Sequence, residues 1–207
     1  MKIKGFIKLL VFCGILAAAY YYWPWRVIRH PPGVLINVSP RQEDIPPKPL
    51  PDVEGWKLTA VAKYGIRARV LGTKRYHSGF GSDVVPVDVA VGWGRMSDQA
   101  VLDQFEITMG NRFFFYEWSN QPAIPEGEIM RSAANNHIIS ANADVKKVIG
   151  SLRTGQIVTM MGYLVKARTP DGKGFWNSSL QRDDTGNGAC EVFYVEAAKA
   201  ADTVPMD

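Results

Sequence analysis

Cysteine is nearly absent: the 207-residue chain has two, Cys13 and Cys190, and the first lies inside an apolar N-terminal run. No disulfide can therefore form within the remainder, whose stability has to come from its core. Histidine is scarce as well. His30, His77 and His137 are scattered, with no closely spaced pair of ligands and no Cys-x-x-Cys, which argues against a structural zinc site. A Walker loop, a dinucleotide-type glycine pattern and an internal repeat are also missing, so nucleotide-driven chemistry has no support and neither cofactor nor metal is expected. Acidic residues are absent from the first 26 positions, which hold Lys2, Lys4, Lys8 and Arg26; beyond them 20 basic residues balance 20 acidic ones. The pI near 9.0 thus belongs to the N-terminal segment. The rest lacks the positive excess of a nucleic-acid-binding domain, and no nucleic acid is expected as a partner.

What is present is ordinary for one globular domain, with 46% hydrophobic and 21% charged residues. Residues 5–25 form an apolar run interrupted only by Lys8. As a helix it would extend about 31 Å, against a bilayer core of about 30 Å. Tyr20, Tyr21, Tyr22, Trp23 and Trp25 supply the aromatic residues favoured at a membrane interface, and the early lysines favour a cytoplasmic N-terminus. Residues 1–26 are therefore expected to be an uncleaved transmembrane signal anchor, with the remaining chain outside the cytoplasm. A cleaved signal peptide ending near Ala17-Ala18-Ala19 is the alternative; the aromatic run that prolongs the apolar stretch weighs against it. Bulky Phe12 before Cys13 weighs against lipidation.

Residues 27–54 contain Pro31, Pro32, Pro40, Pro46, Pro47, Pro49 and Pro51, seven of the 13 prolines, and read as an extended spacer. Residues 55–197 read as an extracytoplasmic β-rich domain, followed by a tail at 198–207. Val85, Val87, Val89 and Val91 alternate with Pro86, Asp88 and Ala90, predicting a half-buried strand. Further strands are predicted at 57–62, 66–71, 105–109, 112–118, 157–166, 175–178 and 190–195. Pro170-Asp171-Gly172 has the turn chemistry to join 157–166 and 175–178 as a hairpin. Two short helices are expected: 98–104 capped by Ser97, and 143–153 capped by Asn142 with Gly155 following its end. The fold class is mainly β, all-β or α+β, with a small barrel as the simplest way to remove strand edges.

The stretch from Gly155 to Val165, with Gly162 inside it, resembles OB-like barrels, in which a long strand bends at an internal glycine. Gly92-Trp93-Gly94-Arg95-Met96-Ser97-Asp98, Asn135-Asn136-His137, Ser178-Ser179-Leu180 and the run from Asp184-Thr185-Gly186 through Gly188-Ala189-Cys190-Glu191 resemble a family of small single-pass bacterial membrane proteins with no established activity. That resemblance spans most of the chain. It implies a bacterial envelope protein in the inner membrane with a periplasmic domain, and supplies no catalytic residues.

Two function classes follow from the residues. The preferred reading is a non-catalytic domain that binds another envelope or membrane protein, with Trp93, Arg95, Arg182, Asp184 and Asn187 as candidate partner-binding residues. For these the blander roles are packing by Trp93, ion pairs by the arginines, and turn hydrogen bonds by Asp184 and Asn187. The alternative is an envelope cysteine transpeptidase or hydrolase using Cys190 with His137 as base, since a membrane-anchored β-barrel with a late cysteine resembles the sortase transpeptidases. This chain departs from their Thr-Leu-x-Thr-Cys motif, having Gly188-Ala189-Cys190, and has no arginine after Cys190. Cys190, Val192 and Tyr194 share a strand face, where a lone cysteine is usually a small core residue. A serine hydrolase using Ser178 or Ser179 with His137 and Asp184 lacks a nucleophile-elbow pattern.

Overall fold

Lys57–Arg75 form one long strand where the sequence suggested two, and this strand organises the domain. The computed structural model describes residues 3–21, 26–119, 121–181 and 190–203, with the side chains of Ile3 and Lys4 excepted. Its elements are α1 (Ile3–Tyr21), β1 (Arg41–Pro49), β2 (Lys57–Arg75), β3 (Val87–Gly92), a 3-10 turn (Gly94–Ser97), α2 (Gln99–Leu102), β4 (Glu106–Gly110) and β5 (Phe113–Glu117). There follow α3 (Glu126–Ser132), β6 (Ala133–Ser140), α4 (Ala143–Gly150), β7 (Ile157–Arg168), β8 (Phe175–Asn177) and β9 (Glu191–Ala201).

Strand β2 can serve several neighbours because its pairings shift register between Ala60 and Ala62 and again between Val70 and Gly72, which bends it. Its first half lies against β1, its second half against β3, and most of its length against β7. The pairings then run β2–β3, β3–β6, β6–β9, β9–β7 and back from β7 to β2; all are antiparallel except β6–β9. Strands β1 and β8 extend this mixed seven-stranded sheet, while β4 and β5 form a separate hairpin. The expected hairpin of β7 and β8 is present, with its turn at Pro170-Asp171-Gly172. Gly162 marks a register shift of β7 on β9, and a Cβ there would lie 2.0 Å from the Tyr194 carbonyl oxygen.

The main core gathers Tyr64, Ile66 and Val70 of β2, Val87, Val89 and Val91 of β3, Ile138 of β6, Met160 and Leu164 of β7, and Phe193 of β9. Helix α4 crosses between β6 and β7, capped as expected by Asn142, whose side chain accepts from the Val145 amide; Val145 and Ile149 seal the core. The other expected helix is corrected. Asp98, not Ser97, caps α2, accepting from the Ala100 amide. The Ser97 hydroxyl is occupied with the Leu35 and Ile36 amides, which donate to it, and the Gly94 carbonyl. Strand β3 is corrected as well: all six residues are buried, including Asp88, so its polar face is covered rather than solvated.

Residues 26–49, read from sequence as the end of an anchor and most of a spacer, lie along the sheet. The Ile28 amide donates to the Thr154 carbonyl, the Gly94 amide to the Ile36 carbonyl, Arg29 pairs with Asp103, and β1 joins β2. The pairing of β1 shifts between Asp44 and Lys48, which accommodates Pro46 and Pro47 on an edge strand. Gly155, expected after a helix end, is needed for this docking instead: its φ is +94° and a Cβ would lie 1.9 Å from the Ile28 carbonyl oxygen. Gly155→Ala is expected to lower stability by about 2 kcal/mol or more and to raise amide exchange at residues 26–36 selectively. Unchanged exchange there would show that the contact is dispensable.

Among the described residues no helix is long and apolar enough to cross a membrane. The run read as a span continues to Trp25, and residues 22–25 lie outside the described ones. Helix α1 is apolar and exposed, with Leu10 at 56% and Ile15 at 61%.

Candidate functional site

The antiparallel register of β3 and β6 sets Asp88 opposite His137 and Ala90 opposite Asn135, so Asp88, His137 and Asn135 share the face turned away from the main core. His137 Nδ1 is 2.8 Å from Asp88 Oδ1, and the two side chains are 3% and 0% exposed. This contact fixes the orientation of the imidazole ring. Arg112 Nη1 donates to the same oxygen at 3.1 Å. Asp88 Oδ2 and Asn135 Oδ1 are buried and have no hydrogen-bond partner. Such acceptors are costly to leave unmet; Asn136 Oδ1, on the main-core side of β6, is left in the same state.

Arg112 reaches this floor from above. It stands with Asn111 in the two-residue turn between β4 and β5, and both have positive φ, +51° for Asn111 and +70° for Arg112. Twist favours such turns in hairpins, but glycine is the usual second residue; arginine there costs about 1–2 kcal/mol. The hairpin is held down by Phe105, Ile107, Met109, Phe114, Tyr116 and Trp118, which pack against Leu71, Ala90, Met96, Val101, Ile124 and Ile129. From this tip the guanidinium lies 3.7 Å from the Tyr76 ring centroid and 5.2 Å from that of Trp176. It donates to the Val85 carbonyl at 3.0 Å and the Phe80 carbonyl at 3.3 Å. The Arg112 amide donates to the Tyr76 hydroxyl, and Asn135 Nδ2 donates to the Arg112 carbonyl at 2.9 Å.

The walls come from two segments. Tyr76 and Phe80 belong to the connection between β2 and β3; Trp176 belongs to β8. Trp176 lies 4.4 Å from the His137 ring centroid and 6.0 Å from that of Phe80. Burial raises the Tyr76 hydroxyl above its ordinary pKa, the Asp88 carboxylate adding to this, while the Arg112 amide and guanidinium oppose it. Tyr76 therefore remains neutral. Together these groups form a carboxylate-floored, aromatic-walled site able to hold a positively charged or donor-rich group.

His137 is thus central, but its described partner is Asp88. Cys190, partly buried, lies beside Asn135: its Sγ is 3.8 Å from both Asn135 Nδ2 and the Arg112 carbonyl oxygen. In the parallel pairing of β6 with β9, His137 faces Val192. The Ser178 hydroxyl accepts from the Val192 amide and donates to the Ser179 carbonyl, and the Ser179 hydroxyl accepts from the Gln181 amide. Trp93 is buried in the main core, and Arg95 makes a two-pronged ion pair with Glu128. These two lie beyond the opposite end of β3 from Asp88, roughly 15 Å along the strand direction. Arg182, Asp184 and Asn187 lie outside the described residues.

Sequence reasoning missed Asp88, Arg112, Asn135, Tyr76 and Trp176. Asp88 sat on the supposed solvent face of an alternating strand, a position that looks identical whether water or a hairpin covers it. The Asn111-Arg112 pair between two strands was a usable turn signal, and Asn135 was already part of a quoted motif. No family model, curated protein or solved structure matches this chain.

Proposed function

We propose that the chain is a membrane-tethered, periplasmic, non-catalytic binding protein built on an OB-like barrel, with its ligand face at Asp88, Asn135 and His137. The circuit of pairings from β2 through β3, β6, β9 and β7 supports the barrel reading, as do the parallel β6–β9 pair and helix α4 between β6 and β7, the third and fourth of these strands along the chain. That is the connectivity of an OB-type Greek-key barrel, whose second and third strands and adjoining first and last loops bind ligands. In this chain those strands would be β3 and β6, and the loops would contribute Tyr76, Phe80 and Trp176. The observation that carries the reading is the pair of buried, unmet acceptors on that face, Asp88 Oδ2 and Asn135 Oδ1. The tether rests on the exposed apolar side chains of α1 and on the lysine-rich start. The envelope assignment rests on the motif resemblance.

The test is capture of envelope components by the full chain from native membranes. Asn135→Ala and Trp176→Ala should reduce recovery while the domain stays folded at the assay temperature by thermal unfolding, and Arg95→Ala should leave recovery intact. Equal recovery with all three would refute the face. Cys190 shares the face with His137, so Cys190→Ala belongs beside them: a stable variant without function would favour the thiol-enzyme alternative.

A further inference from the structure

We infer that the pocket beneath the β4–β5 turn is a guanidinium-recognition site filled by the chain's own Arg112, and that a protein partner enters it by an arginine side chain that displaces this residue. The inference deepens the proposed function, since it names the chemistry taken up at the same face. Every polar group that meets the guanidinium is an acceptor: Asp88 Oδ1 and the Val85 and Phe80 carbonyls. The Tyr76 and Trp176 rings flank it at 3.7 and 5.2 Å. A planar, delocalised cation with a fork of donors suits such a cage; a compact, strongly hydrated ammonium suits it less.

Three features distinguish a self-bound ligand from a plain structural ion pair. First, the resident uses the cage incompletely, because Asp88 Oδ2 and Asn135 Oδ1 stay without hydrogen bonds though buried. An incoming group approaching from a different direction can supply donors to both. Second, Arg112 stands in a two-residue turn flanked by the pairs Gly110 with Phe113 and Met109 with Phe114, so its guanidinium can withdraw without unpairing the hairpin. Third, its side chain is 18% exposed while Asp88 is 0% exposed, so the cage opens to solvent on the side from which Arg112 enters. Displacement breaks no covalent bond; it exchanges the guanidinium hydrogen bonds to Asp88, Val85 and Phe80 for those of the incoming group.

The probe is N-acetyl-arginine amide, with N-acetyl-lysine amide as comparison, added to the full-length chain in mild detergent. The readout is the indole N–H signal of Trp176, assigned through Trp176→Phe. In Arg112→Ala the arginine probe should bind saturably, about tenfold tighter than in the unaltered chain, where the resident competes. The lysine probe should bind about tenfold more weakly, and Asp88→Asn placed in the Arg112→Ala chain should abolish binding. Absence of saturable binding to Arg112→Ala, equal affinity for the two chains, or equal affinity for the two probes would overturn the inference. If Arg112→Ala does not fold unaided, restoration of its thermal transition by the arginine probe alone reads the same site, and failure to restore it overturns the inference. Failed probe binding with Trp176-dependent capture intact would sink the guanidinium assignment alone; failure of both would sink the face itself.

Discussion

Asp88→Ala should destabilise the domain by about 3 kcal/mol, measured by urea unfolding, because it strips the shared partner from both Arg112 and His137. The estimate sits at the lower end of the range for broken buried pairs, since the Arg112 side chain retains 18% exposure. Arg112→Ala should cost less than that, because it leaves Asp88 with His137 Nδ1 at 2.8 Å and removes a side chain that is partly solvated. The double variant should cost less than the sum of the two, with a coupling of about 1.5–3 kcal/mol, because removing both charges leaves neither buried alone. Strict additivity would mean that the pair does not interact across the pocket. The cycle also bears on ligand chemistry, since a cage that tolerates loss of Arg112 but not of Asp88 is organised around its acceptor.

A chain beginning at Pro51 should be much less stable than one beginning at Arg26. The shorter chain loses β1, which covers one edge of β2 from Thr59 to Gly65. It also loses Ile36, which is 4% exposed, and the backbone hydrogen bonds at Ile28 and Ile36. One buried isoleucine and a few hydrogen bonds together amount to at least about 3 kcal/mol. The exposed β2 edge adds an aggregation hazard. Chemical denaturation of the two chains measures the difference directly, and equal midpoints would return residues 27–49 to the role of a passive spacer. A stable domain starting at Arg26 would leave almost no free chain after α1, so the proposed tether would hold the binding face at a nearly fixed height above the bilayer.

Local chemistry was legible wherever a residue acts on its immediate neighbours. The Asn142 cap, the Pro170-Asp171-Gly172 turn, the glycine at the register shift of β7 and most strands were readable because each depends on a few adjacent residues. The mainly β class followed from the sum of those signals. Strand β6 was not foreseen, because Ala-Ala-Asn-Asn has little intrinsic strand preference and is recruited by β3 on one side and β9 on the other. Strand β1 was hidden by its prolines, which an edge position tolerates.

What the sequence by itself determined is the balance of charge, the apolar start, the lack of any disulfide in the domain, the Asn142 cap and the Pro170-Asp171-Gly172 turn. Only the tertiary structure decided that Asp88 is buried, that His137 meets it from a strand 49 residues away, and that Arg112 closes over both. The physical reason is that period-two alternation tells which residues share a face and says nothing about what covers that face. Here the cover is a hairpin inserted between β3 and β6, and its aromatic underside converts a polar strand face into an enclosed site.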